Sequence, residues 1–265
     1  MGSQKGSAVA EQLLVEDIER IRMVGSAYRK TGKRVVLVPL GRDIHAGHLA
    51  LVQAAQRVRG GIVVVAVDPE TDISALDGVD VVWRYSEQSQ RTRVLAPDHG
   101  MEDVSAELTR VVALTCALGP SDVFMGEKDY ELLVATQQAF TDLHIAARVQ
   151  GVPSVRMPDG VVMSLRNADV AAEAREQASA LSAALTAGAY AAESGAEEVV
   201  RVAREVLGAA GVEPEYVELR GRDLGEAPAE GDARLFIAAT IGGVRLIDNA
   251  GVPLGIGFRN LEQRG

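Results

Sequence analysis

Val35-Val36-Leu37-Val38-Pro39-Leu40-Gly41-Arg42-Asp43-Ile44-His45-Ala46-Gly47-His48 reads as a buried strand, a short loop and the first turn of a helix. The strand is apolar without alternation, as in a parallel sheet covered on both faces. The loop closes in His-x-Gly-His, so two imidazoles arrive at the positive end of a helix. Open α/β folds bind ligands beyond the carboxyl ends of their strands, and a helix N-terminus favours an anion such as phosphate. Gly47 lets a backbone approach such a group closely. His45 and His48, three residues apart, can share one side of the first turn. Four residues also fit a helix start with two incidental histidines, so the surrounding sequence has to decide.

Strand and helix alternate on either side. Leu14, Ile18, Ile21 and Tyr28 fall at helical spacing and predict an amphipathic helix ending near Thr31-Gly32. A helix over 47–58 follows the opening strand and is closed by Gly60-Gly61. Ile62-Val63-Val64-Val65-Ala66-Val67 is a second β-branched run, stopped by Asp68-Pro69. Val79-Asp80-Val81-Val82-Trp83 predicts a short strand, and 86–92 a polar loop. Helical spacing returns over 101–118, with Val104, Leu108, Val111 and Thr115 on one face and Gly119-Pro120 as the stop. Asp122-Val123-Phe124-Met125 predicts a strand, 129–143 a helix and 145–149 another strand. This alternation predicts an α/β fold, a Rossmann-like, doubly wound parallel sheet over 1–153.

The texture changes after Gly151-Val152-Pro153, where the domain boundary is expected. Pro158-Asp159-Gly160 between Val155-Arg156-Met157 and Val161-Val162-Met163 is a hairpin signal. An alanine-rich helix over 169–194 and a second over 196–210 follow. Strands are predicted over 216–219, 235–240 and 244–247, the last two joined across Gly242-Gly243. The region 154–265 therefore reads as a smaller α+β domain with antiparallel pairing.

With 265 residues, 47% hydrophobic and 24% charged, the chain has the composition of a soluble globular protein. A net charge of −10 and the lack of a basic stripe argue against nucleic acid as a partner. An anionic substrate would need a local positive pocket in so acidic a protein. One cysteine, Cys116, leaves no disulfide within the chain and is expected to be a buried packing thiol. No stretch is long enough to span a membrane and the N-terminus has no signal-peptide core, so a cytoplasmic protein is expected. Residues 1–8 are small and polar and are expected to be loose.

Three segments at the ends of predicted strands could carry chemistry: His45-Ala46-Gly47-His48, Gly126-Glu127-Lys128-Asp129 and Met163-Ser164-Leu165-Arg166-Asn167. Together they supply imidazoles, an ammonium, a hydroxyl and a guanidinium. Transfer of a nucleotide phosphate needs such a set, because fixed donors and cations stabilise the charge that builds on phosphoryl oxygens. Each residue also has an ordinary structural reading. Lys128 could be a surface lysine, Arg166 a partner of Asp169, and Ser164 and Asn167 helix caps. His99 and His144 stand apart from all three segments.

Those segments, with Tyr130 completing Gly-Glu-Lys-Asp-Tyr, resemble the pantothenate synthetase (pantoate–β-alanine ligase) family of the nucleotidyltransferase superfamily. Tyr216-Val217-Glu218-Leu219-Arg220 and Asp248-Asn249 are similar to the family's C-terminal domain. The likeness runs from Arg34 onward and is weakest between Asp68 and Ala106. It implies a nucleotidyltransferase-type sheet, a C-terminal lid domain, a homodimer, and a reaction using ATP and Mg2+. A carboxylic acid would attack the α-phosphate to give an acyl-adenylate, and an amine would then displace AMP. No membrane or nucleic-acid partner is implied. His45, His48, Lys128 and Arg166 would be the catalytic residues, with His48 as candidate proton donor. ATP would also meet Leu40, Gly41, Gly47, Gly126, Asp129, Val155, Met163, Ser164 and Leu165, with Gly126 and Asp129 at the ribose and the backbone near Val155 at the adenine. No protein side chain is expected to ligate the metal.

The departures from the family pattern are concentrated. Leu40 and Gly41 stand where the family has Thr and Met, and Arg42-Asp43 where it has a glycine and a small residue. Thr71 and Leu132 occupy the places of two glutamines that bind pantoate. Leu165 replaces a serine, and the family's His-Phe-x-Gly-Val helix start is missing near 103–107. The acid pocket is therefore expected around Arg42, Asp43, Thr71 and Leu132. Each hydrogen bond lost to a charged group is worth on the order of 1.5–3 kcal/mol. Three readings follow: ligation of a different acid, a non-catalytic relative that binds ATP, and nucleotidyl transfer to a phosphate substrate.

Overall fold

The computed structural model describes residues 12–86 and 91–255. The N-terminal stretch 1–8 and part of the polar loop over 86–92 lie outside the described residues. The chain enters through β1 (Leu13–Val15) and α1 (Ile18–Lys30), then passes into β2 (Arg34–Pro39) and α2 (Ala46–Gln56). β3 (Gly61–Val67), β4 (Val81–Arg84) and α3 (Ser105–Leu118) follow. β5 (Asp122–Gly126), α4 (Tyr130–Asp142) and β6 (Arg148–Val152) complete the first sheet. All of its pairings are parallel, in the order β1-β4-β3-β2-β5-β6.

Unalternating strands are what this sheet requires, because both faces are covered. Val36, Val38 and Leu40 pack with Leu51, Val52 and Ala55 of α2. Each large apolar side chain so buried contributes roughly 1.5–3 kcal/mol. α1, α3 and α4 pack side by side over the sheet. At Gly25 the crossing of α1 and α3 is so close that a Cβ would collide with the Leu118 carbonyl oxygen. The chain leaves β2 toward β3 on one side and leaves β5 toward β6 on the other. The strand order thus reverses between β2 and β5, and the crevice at such a switch point is where doubly wound sheets hold ligands.

Four expectations are corrected. Leu14 lies in a strand, because the Asp17 carboxylate accepts the Arg20 N–H at 2.8 Å and starts α1 only after it. α3 begins at Ser105, whose N–H meets the Asp103 carboxylate at 3.0 Å. β6 starts at Arg148, three residues late, because Ile145 bonds back to Phe140 in a turn through His144 at φ 54°. Cys116 is exposed: it lies off the Leu108, Val111, Leu114, Leu118 stripe by which α3 packs.

The described residues up to Pro97, with Asp103–Pro153, form one compact unit; Asp98–Glu102 and the residues from Ser154 form another. In the second, the Asp159-Gly160 turn closes a short hairpin, with Arg156 opposite Val162. The expected helix over 169–194 is divided. Single-turn helices at Leu165–Asp169 and Ala172–Ala174 precede α5 (Arg175–Tyr190), and another at Ala192–Ser194 precedes α6 (Ala196–Ala209). β7 (Pro214–Gly221), β8 (Gly231–Ile241) and β9 (Val244–Leu254) form an antiparallel sheet, with Gly242 and Gly243 both at positive φ in the β8–β9 turn. Small side chains such as Ala184 and Ala203 let α5 and α6 lie close on Leu235 and Ile237. Arg156 grips the buried Asp248 carboxylate with two bonds, at 2.6 and 3.1 Å, tying hairpin to sheet. Glu102 accepts two bonds from Arg245, at 2.7 and 2.9 Å, and one from the Tyr216 hydroxyl at 3.1 Å, which holds Asp98–Glu102 to this unit.

Candidate active site

In the first unit the structure brings His45, His48, Lys128 and Asp129 together at the carboxyl ends of β2 and β5. His45 caps α2: its Nδ1 accepts the His48 main-chain N–H at 3.4 Å. In the neutral ring this leaves the proton on Nε2, available as a donor. The two imidazoles stack, with centroids 3.8 Å apart and planes 15° from parallel. His48 Nδ1 is buried and finds no hydrogen-bond partner among the described residues. Lys128 stands in the single turn Glu127–Asp129 after β5, its ammonium 3.0 Å from the Asp129 carboxylate.

Charge explains what this cluster lacks. Burial and the neighbouring His45 push the His48 pKa down to about 4, against the pull of the Asp43 main chain and Asp129. Burial and the Lys128 ammonium lower His45 as well. Both rings are therefore neutral near pH 7 in the unliganded protein, and His48 is no proton donor there until an anion arrives. A phosphate would relieve the cationic field and give His48 Nδ1 a partner.

The loop ahead of the histidines is pinned to β3. Leu40 is buried and its N–H meets the Ala66 carbonyl at 2.8 Å. The Gly41 carbonyl accepts from the Asp68 N–H at 3.4 Å and from the Thr71 hydroxyl at 3.2 Å. Of the expected acid-pocket residues, Arg42 and Asp43 are exposed, Thr71 is buried with its hydroxyl engaged, and Leu132 is half-buried on the first turn of α4. Thr71 and Leu132, at the two glutamine places, do not present the donor pair that those amides would supply. Sequence reasoning missed Asp68, Arg84, Tyr85 and Arg110, which gather at the ends of β3 and β4. The signal was a charged residue at each strand end, Asp68 just after β3 and Arg84 closing β4.

In the second unit Ser164 caps the turn Leu165–Asp169, accepting the Arg166 N–H at 3.3 Å, and Asn167 donates to the Val162 carbonyl at 2.8 Å. These are the capping roles open to both residues. Leu165 and Arg166 are exposed, and the Met163 N–H is bonded to the Val155 carbonyl at 2.8 Å. Gly47 lies in the first turn of α2, and Gly126 caps the turn that carries Lys128.

Comparison with known proteins fits this picture. The family model described as pantoate-beta-alanine ligase matches residues 13–70 and 96–251. The unmatched interval falls where the sequence itself resembles that family least. Pantothenate synthetase of Corynebacterium jeikeium is 41% identical, over 94% of this chain and 92% of the relative. That of Saccharopolyspora erythraea is 38% identical, with 96% of each covered. The crystal structure of pantothenate synthetase from Thermus thermophilus superposes with a TM-score of 0.77 at 26% identity, over 90% of this chain and 98% of that one. The fold is thus the nucleotidyltransferase type. The chain belongs to the pantoate–β-alanine ligase family and is an ATP-dependent, amide-forming ligase.

Proposed function

We propose that the protein joins a hydroxy acid of the pantoate class to β-alanine, with MgATP as the activating substrate. A carboxylate oxygen of the acid attacks the α-phosphorus, the bond to the bridging oxygen breaks, and pyrophosphate leaves. The amine nitrogen then attacks the acyl carbon, AMP leaves, and the amine's proton passes to solvent. The observation that carries this reading is the stacked, neutral histidine pair beside Lys128, with one buried ring nitrogen awaiting a partner. His45 and Lys128 offer donors to phosphate oxygens, and His48 takes up a proton as the polyanion binds. Fixed donors of this kind act where charge builds during transfer. Among the described residues no three His, Cys, Asp or Glu side chains gather as a metal site. Mg2+ would enter with ATP, keeping waters and binding through the phosphates. The ion would offset charge on the leaving pyrophosphate. Ser164 and Arg166 are assigned to the same ATP from the family resemblance, as are the lid role of the second unit and a homodimer.

The engaged Thr71 hydroxyl and the apolar Leu132 favour a second reading, in which the acid is not pantoate. Pyrophosphate release from MgATP over a panel of acids, with the amide product identified by mass spectrometry, separates the two. Release with pantoate followed by pantothenate formation supports the first. Release only with other acids supports the second. No release with any acid, beside measurable ATP binding, would leave a non-catalytic relative.

A further inference from the structure

In the second unit one guanidinium fastens the hairpin that runs into Ser164. Arg156 stands in its first strand, opposite Val162. Its guanidinium donates to both oxygens of Asp248 in β9, at 2.6 and 3.1 Å. It also donates to the Asn249 carbonyl at 3.4 Å, to the Gly160 carbonyl in the hairpin turn at 3.1 Å, and to the Ser182 hydroxyl of α5 at 3.5 Å. One side chain thus joins hairpin, helix and sheet around a carboxylate that is only 2% exposed. On the facing strand the Val162 carbonyl accepts from the Asn167 amide at 2.8 Å, and the Met163 N–H bonds the Val155 carbonyl at 2.8 Å. The turn Leu165–Asp169, which carries Arg166 and packs on β9, therefore takes its position from the strand that Arg156 holds.

Stability alone does not call for this arrangement. Desolvation cancels much of the attraction in a buried ion pair, and apolar side chains of similar volume often serve as well. What apolar packing lacks is direction. A planar guanidinium fixes each acceptor at a set angle, and a two-oxygen grip on a carboxylate fixes the plane itself. Such precision matters where a binding group must be held to a fraction of an ångström by residues behind it. Arg166 is placed in that way. It is exposed, so burial does not hold it; the turn beneath it must. That turn is secured by the Ser164 cap, by Asn167 and, through the Val162 strand, by Arg156.

We propose that Arg156, gripped by Asp248, is a positioning residue for nucleotide binding: it sets the hairpin and turn that present Ser164 and Arg166 to the ATP phosphates. This inference rests on the assignment of Ser164 and Arg166 to ATP made above. Arg156→Lys and Asn167→Ala are compared with wild type, alone and in a Ser164→Ala/Arg166→Ala background. Calorimetry with a non-hydrolysable ATP analogue gives Kd without turnover. Pyrophosphate release gives KM for ATP and for the acid, and thermal melting monitors folding. Ser164→Ala/Arg166→Ala should raise Kd for the analogue about tenfold to a hundredfold. Arg156→Lys keeps the charge beside Asp248 without the fork, so Tm should change little while Kd and KM for ATP rise about threefold to tenfold. Asn167→Ala should act in the same direction. KM for the acid should stay within about threefold, and in the Ser164→Ala/Arg166→Ala background both substitutions should cost less than about twofold more, because they act through the groups already removed. Unchanged analogue affinity in Arg156→Lys and Asn167→Ala overturns the proposal. So does a loss that adds in full to that of the background, or one that falls equally on acid and ATP with a lowered Tm. If Ser164→Ala/Arg166→Ala binds the analogue as wild type does, or wild type does not bind it, the assignment of those residues to ATP fails and the proposal with it. A wild type that binds the analogue but releases no pyrophosphate with any acid contradicts the ligase reading, while the calorimetry still judges Arg156.

Discussion

The two ends of the same sheet edge are built on opposite electrostatic plans. Beyond β2 and β5, His45, His48 and Lys128 are donors and potential cations, opposed by Asp129. Burial holds the rings neutral and Lys128 is paired with Asp129, so an anion bound there would favour a proton on His48. Beyond β3 and β4, Asp68 is paired with Arg110, and Thr71 and Arg84 bond to the main chain. That end presents an ion pair. One end is suited to phosphate, which is common to every ATP-using reaction. The other borders the interval that the family model does not match.

The sharpest way to break the contrast is at Lys128. Lys128→Ala should lower kcat/KM for pyrophosphate release by roughly 10²–10³, because a fixed donor to developing charge is lost. Arg42→Ala, on an exposed side chain of the loop after β2, should change it less than about threefold. Equal effects would show that position along the edge does not sort these residues.

His48→Gln should weaken ATP binding by about tenfold, the worth of one charge-assisted bond. More telling is the proton. With the free His48 pKa near 4 and the bound one raised by phosphate, ATP binding should take up a proton above pH 4 and below the bound ring's pKa, and tighten as pH falls through that window. Calorimetry in two buffers of different ionisation enthalpy reads this directly. Uptake that persists in the Gln variant would place the proton elsewhere.

Thr71→Val tests the other end at smaller amplitude. Losing its bond to the Gly41 carbonyl should cost about 1 kcal/mol of stability, read from a urea midpoint, with KM for the acid little changed. A large rise in that KM would restore Thr71 as a substrate contact. A further effect concerns the unliganded fold. The unfolded chain protonates His48 near its ordinary 6.5, and the folded chain only near 4. Stability therefore falls as pH drops from 6.5 toward 4. The fall should be shallower in His48→Gln than in wild type across that window.

Much of the molecule was legible in the chain. Unalternating runs such as Ile62-Val63-Val64-Val65-Ala66-Val67 can only be strands covered on both faces, and turns at Gly119 and Gly242-Gly243 are written in their residues. What failed was local. Leu14 matches a helical stripe, yet Asp17 starts the helix after it and pairing with β4 makes it a strand. Cys116 sits in an apolar run, but only the packing direction of α3 says which of its faces is outward.

The sequence alone determined the alternation of strands and helices, and it delivered His45, His48 and Lys128 to strand ends. Periodicity, caps and turn residues act over a few positions, so they can be read in a few positions. Only the tertiary structure decided that β2 and β5 are neighbours at the switch point, that two imidazoles stack with one nitrogen left unpaired, and that Asp68 meets Arg110 across forty-two positions. Those facts depend on which strands pair and which surfaces exclude water. No local pattern of side chains encodes either one.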